Sequence, residues 1–124
     1  MTARLWQQAE GAGMALAGIM VAALASAGWP WWLWLLVLAA PDLGMAGYLA
    51  GRRAGAALYN LTHLYAVPLL LVMLGVATGS LGAMTVGGLW LAHVGADRML
   101  GYGLKLGSGF HDTHLGRIGR HVSK

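Results

Sequence analysis

The chain holds only four acidic residues, Glu10, Asp42, Asp97 and Asp112, and the first three fall inside long apolar runs. His63 and His93 fall inside such runs too, with Asn60 one helical turn from His63 and Asp97 one turn from His93. Spacings of i,i+3 for Asn60 with His63 and i,i+4 for His93 with Asp97 put each pair on one helix face. An Asp at the centre of a membrane helix costs about 2.5 to 3.5 kcal/mol to insert, so buried acids call for a partner, a proton or a cation. Neutral imidazoles and carboxylates suit zinc, iron or manganese, and a bound cation offsets the burial of the acids. The leading reading is a metal site of Asp42, His63, His93 and Asp97, with Glu10 as a further ligand. Asn60, His111, Asp112 and His114 are candidates to support that site or close over it.

What such a site would do stays open at the level of sequence. A metal-bound water of lowered pKa supports hydrolysis, and an open iron site supports oxygen chemistry. Two-metal helical bundles use Glu-x-x-His motifs, and this chain has none. Three other classes compete. Asp, Glu and His chains serve as proton or cation relays, although here they are confined to one half of the spans. His63 and His93 could ligate haem as an axial pair, which leaves the acids unexplained. A structural or accessory subunit would use these side chains only as interhelical hydrogen bonds, worth about 0.6 kcal/mol each on average.

The elements that must position these residues follow from composition. Hydrophobic residues are 58% of 124 and charged residues 10%, against about 25% charged in a soluble domain. That excludes a soluble enzyme, a disordered chain and a coiled coil. The absence of cysteine excludes a disulfide framework and thiolate-ligated metals. Four apolar stretches, near 8–27, 30–50, 55–78 and 82–103, are each long enough to cross a bilayer. Short loops predict an all-α, four-helix transmembrane bundle running up-down-up-down over 1–104, followed by a polar tail over 105–124. Arg4, the first apolar run and Ala25-Ser26-Ala27 have the outline of a signal peptide; the reading adopted is a first membrane helix.

All eight basic residues, Arg4, Arg52, Arg53, Arg98, Lys105, Arg117, Arg120 and Lys124, fall at one face of this four-span arrangement. The positive-inside rule makes that face cytoplasmic, with both termini on it. Trp29, Trp31, Trp32 and Trp34 belong to the opposite interface. Basic residues beside spans speak for orientation and anionic lipid, not nucleic acid. Counted from the cytoplasmic ends of the spans, Asp42, His63, His93, Asp97, Asn60 and Glu10 share one layer in the cytoplasmic half. Pro41 and Pro68 bracket it and are expected to free the carbonyls of Val37 and Leu64. Small residues at helix-packing spacing, Gly47 with Gly51, Gly75 with Gly79 and Gly88 with Ala92, suit close contacts within the bundle, with homo-oligomer packing as the second reading. If the tail is helical, His111 and His114 share a face over the site, though its glycines oppose a helix.

Three blocks of sequence then stand out together with Glu10-Gly11. They are Ala40-Pro41-Asp42-Leu43-Gly44-Met45-Ala46-Gly47-Tyr48, Tyr59-Asn60-Leu61-Thr62-His63 with Pro68, and Trp90 through Lys105 continuing from Phe110 to Gly116. With these the chain resembles a family of small bacterial four-span membrane proteins catalogued as a domain of unknown function. The resemblance implies a bacterial plasma (inner) membrane protein of four helices in contact with lipid, and brings no activity with it. A small lipophilic substrate reaching the polar layer from the bilayer is the partner such a site would take.

Overall fold

Thr2 opens the first helix: its hydroxyl accepts the N–H of Leu5 at 3.3 Å, and α1 runs Ala3–Ala25. The computed structural model describes residues 1–118, so the expectations for Arg120, Lys124 and the end of the tail lie outside the described residues. Pro30 precedes α2, Trp31–Ala39. Pro41 has no N–H to continue an α-helical ladder, and the chain tightens there into a 3-10 helix over Ala40–Ala50. Gly51, at φ 121°, adopts a conformation closed to other residues and turns the chain into α3, Arg52–Thr62. The helix breaks over residues 63–65 and resumes as α4, Ala66–Thr78. Gly79 in the left-handed region ends it, and the Ser80 hydroxyl accepts the N–H of Ala83 to start α5, Leu81–Met99.

Three stretches are long and apolar enough to cross a membrane: Ala3–Ala25, Trp31–Ala50 and Arg52–Thr78. The fold is an all-α bundle, as expected, and large apolar side chains such as Leu16, Leu24, Trp31, Leu49, Leu70 and Met73 point outward from it. Such a surface fits lipid. The fourth expected span is the exception in character. Helix α5 carries His93, Asp97 and Arg98, and nine of its residues are buried, whereas α2 buries none. It packs on α1, α4 and α2, so protein rather than lipid surrounds its polar groups.

The α1–α5 contact is built on small residues. A Cβ on Gly88 would come within 2.8 Å of the Gly18 carbonyl oxygen, and one on Gly11 within 2.6 Å of Arg98 Cβ. The expected Gly88 and Ala92 pair therefore packs inside the chain, against Gly18. Gly51 and Gly79, by contrast, serve turns and not helix faces.

After α5 the described residues of the polar tail form no helix. Two-residue strands β1, Asp112–Thr113, and β2, Gly116–Arg117, pair antiparallel. Lys105 bridges to Thr113, and this folds the tail back on the bundle.

Candidate metal centre

Each departure from regular helix hands a backbone carbonyl to a side chain of the site. In the 3-10 register the carbonyl of residue i accepts from residue i+3, so the Ala40 N–H satisfies Val37. The same register sends the carbonyl of Leu38 to Pro41, which has no N–H. His93 Nδ1 donates to it at 2.7 Å. The orphan created by Pro41 is thus Leu38, one residue beyond the expected Val37, because the helix has changed pitch.

The end of α3 repeats the device. The His63 N–H bonds to the Asn60 carbonyl at 3.1 Å, again in 3-10 fashion. That leaves the Tyr59 carbonyl for His63 Nδ1, at 2.8 Å, and for the Thr62 hydroxyl, at 2.9 Å. Two further carbonyls at the break are met from α5: Trp90 Nε1 donates to Thr62 at 2.6 Å and Arg98 donates to His63 at 3.0 Å. Tyr59 stacks on the His63 ring at 3.8 Å and 10°. The imidazole of His63 is fully buried and held on every side.

A carbonyl can only accept, so both Nδ1 atoms carry a proton and both Nε2 atoms are free to act as ligands. These Nε2 atoms lie 3.2 Å apart. Asp42 Oδ1 is 3.3 Å from His63 Nε2 and 3.1 Å from His93 Nε2. Asp97 Oδ2 is 3.4 Å and 3.2 Å from the same two atoms. All four donor atoms fall within 4.8 Å of one another, and the set could hold a metal ion. Metal bonds of 2.0–2.1 Å at tetrahedral angles imply donor separations of about 3.3–3.4 Å. The five His–His and His–Asp distances match that spacing.

Of the other expected residues, Glu10 does not join the group. It accepts a hydrogen bond from Gln7 at 3.2 Å on an exposed turn of α1. Asn60 grips the tail instead: its Nδ2 donates to the Lys105 carbonyl at 2.8 Å and its Oδ1 accepts the Lys105 N–H. His114 pairs with Leu104 through two bonds, His114 N–H to the carbonyl and Leu104 N–H to Nδ1. Burial first, and then the charge of Arg98, hold its pKa below the ordinary 6.5. Asp112 accepts from Ser108 at 2.8 Å, and His111 sits exposed against Phe110. None of these tail groups enters the four-residue cluster.

Sequence reasoning passed over Tyr59, Trp90, Arg98 and Lys105. The two cations read as topology markers at a span end. Arg98 is buried and donates to the carbonyls of His63 and Tyr102. Lys105 is 4% exposed, with Nζ 4.9 Å from the Tyr59 ring centre and 3.9 Å from that of Phe110. One partner of each, the His63 carbonyl for Arg98 and the Tyr59 ring for Lys105, lies far along the chain, which no local pattern announces.

A family model described as a domain of unknown function, DUF4260, matches residues 4–118. The chain belongs to DUF4260. No curated protein and no solved structure matches it. The DUF4260 match contains the four converging donors, Pro41, Pro68 and the tail as far as residue 118.

Proposed function

We propose that this is an integral membrane metalloprotein that holds one divalent ion between Asp42, His63, His93 and Asp97. One observation carries the reading: two imidazoles with their Nδ1 protons committed to carbonyls turn bare Nε2 atoms on each other at 3.2 Å, between two carboxylates. Four Lewis bases that close repel one another unless a cation sits among them. Zinc would complete a tetrahedron on these donors, whereas iron or manganese would keep further positions for water or substrate. Asp42, with its side chain 48% exposed, opens the site to a cavity of about 240 Å³ beneath the tail. A second cavity of about 230 Å³, bounded by Ile19, Leu38 and Ala92, meets the site at His93 and Asp97. An ion beside a cavity with apolar walls suits metal-dependent chemistry on a small lipophilic molecule. In this reading α5 is a fourth span, the Arg52-Arg53 face is cytoplasmic, and the chain lies in a plasma membrane with both termini on that side.

Haem fits the arrangement less well. Axial ligation places two nitrogens about 4 Å apart across the iron, with the porphyrin plane between them. Here the nitrogens are 3.2 Å apart, and carboxylate oxygens lie within 3.4 Å of both.

Metal analysis of protein purified without chelator tests the proposal. One equivalent of zinc, iron or manganese is expected per chain, and Asp42→Ala and His93→Ala should each abolish it. Metal-free protein, or variants that keep the ion, would overturn the reading, and so would a Soret band in the visible spectrum.

A further inference from the structure

The cavity beneath the tail is lined by charged groups of both signs. Its lining includes the carboxylates of Asp42 and Asp97 together with Lys105, Tyr59, Tyr102 and Phe110. At about 240 Å³ it holds several times the roughly 30 Å³ of one water. Among the described residues neither Lys105 nor Arg98 lies within salt-bridge distance of a carboxylate. The guanidinium of Arg98 is already engaged by the carbonyls of His63 and Tyr102. Among the described residues the ammonium of Lys105 faces the Tyr59 and Phe110 rings and makes no hydrogen bond, so its donors remain available.

A dication among the four donors cancels the charge of Asp42 and Asp97. Among the described residues the buried ammonium of Lys105 is then left without a counter-charge at the wall of the same cavity. A buried cation without a partner is costly, and a ligand that brings one negative charge removes the cost. The walls around it are aromatic, which suits an apolar body behind that charge. We infer that this cavity is the site of a small monoanionic ligand of the carboxylate class with an apolar or aromatic body, its charged end between the metal ion and the Lys105 ammonium. The inference rests on the metal reading and adds to it the chemical class of what is bound.

Protein loaded with cobalt and titrated with benzoate tests it, with the visible absorption of the ion as readout. Benzoate should perturb the spectrum and saturate. Neutral benzamide should bind at least about tenfold more weakly, since charge-assisted contacts supply the preference. Lys105→Met should keep one cobalt per chain and weaken benzoate by at least about tenfold, while Lys105→Arg restores most of the affinity. Unchanged benzoate affinity in Lys105→Met, or equal binding of benzamide and benzoate by the native protein, overturns the anion site while leaving the metal in place. The second comparison needs no variant, so it stands if Lys105→Met does not fold. Failure to take up stoichiometric cobalt instead overturns the metal reading, and the anion site with it.

Discussion

His93 holds two bonds that pull in one direction. Its Nδ1 proton is fixed by Leu38, and its Nε2 is thereby turned toward Asp42 and Asp97. Groups that orient a metal-bound histidine typically change affinity by about 10- to 100-fold when lost. Pro41→Ala returns an N–H that can compete for the Leu38 carbonyl, so it should lower metal affinity in that range without touching a ligand. Competition with a chromophoric chelator measures it, and unchanged affinity would show that the orphan carbonyl plays no part. Metal ligands must also be deprotonated. Uptake should therefore fall steeply as acid protonates the imidazoles and carboxylates, which the same competition followed against pH would reveal. The four donors were legible in the sequence because polar groups inside apolar runs are expensive enough to stand out. The carbonyl that aims His93 was not, since it depends on a change of helical pitch that Pro41 signals but does not locate.

Asn60 joins the end of α3 to the beginning of the tail by two hydrogen bonds, and His114 joins the tail to Leu104 by two more. Asn60→Ala leaves the Lys105 backbone groups unsatisfied at a cost of about 1–3 kcal/mol. The tail amides, and those of α5 far less, should then lose hydrogen-exchange protection. Protonation of His114 acts on the same element. Its folded pKa is lowered, so its contribution is complete above the ordinary value of 6.5 and is lost as pH falls through it. Protection of the Leu104 amide should accordingly hold above about pH 6.5 and fall as pH drops below it, and His114→Ala should remove that dependence. A tail built on Asn60 escapes sequence reading because its partner is a backbone 45 positions away. The three long apolar stretches were readable to within about five residues at their ends, for length and apolarity are local properties.

Across the whole molecule, α1 against α5 depends on the absence of side chains. Gly88→Leu should destabilise the bundle by about 1–3 kcal/mol or more through overpacking against Gly18 and Ala22. Gly13→Ala, where a Cβ would meet nothing within 4 Å, should be neutral or stabilise by about 0.5–1 kcal/mol through helix propensity. Thermal unfolding in one detergent compares the two. A loss shared equally by both would count against a close-packed helix pair. The sequence reading found Gly88 with Ala92 as a packing face. It could not say that the partner is α1, because no single helix shows which neighbour its small residues meet.

The pairing of α1 with α5 has a consequence for the order in which the protein is made. Asp42 and His63 leave the ribosome well before His93 and Asp97, and α1 is made well before its partner α5. Until α5 is made, α1 lacks the small-residue face it packs on, and Asp42 and His63 lack His93 and Asp97. On the proposed metal reading, loading follows synthesis of α5, and a nascent chain stopped short of α5 should hold no ion.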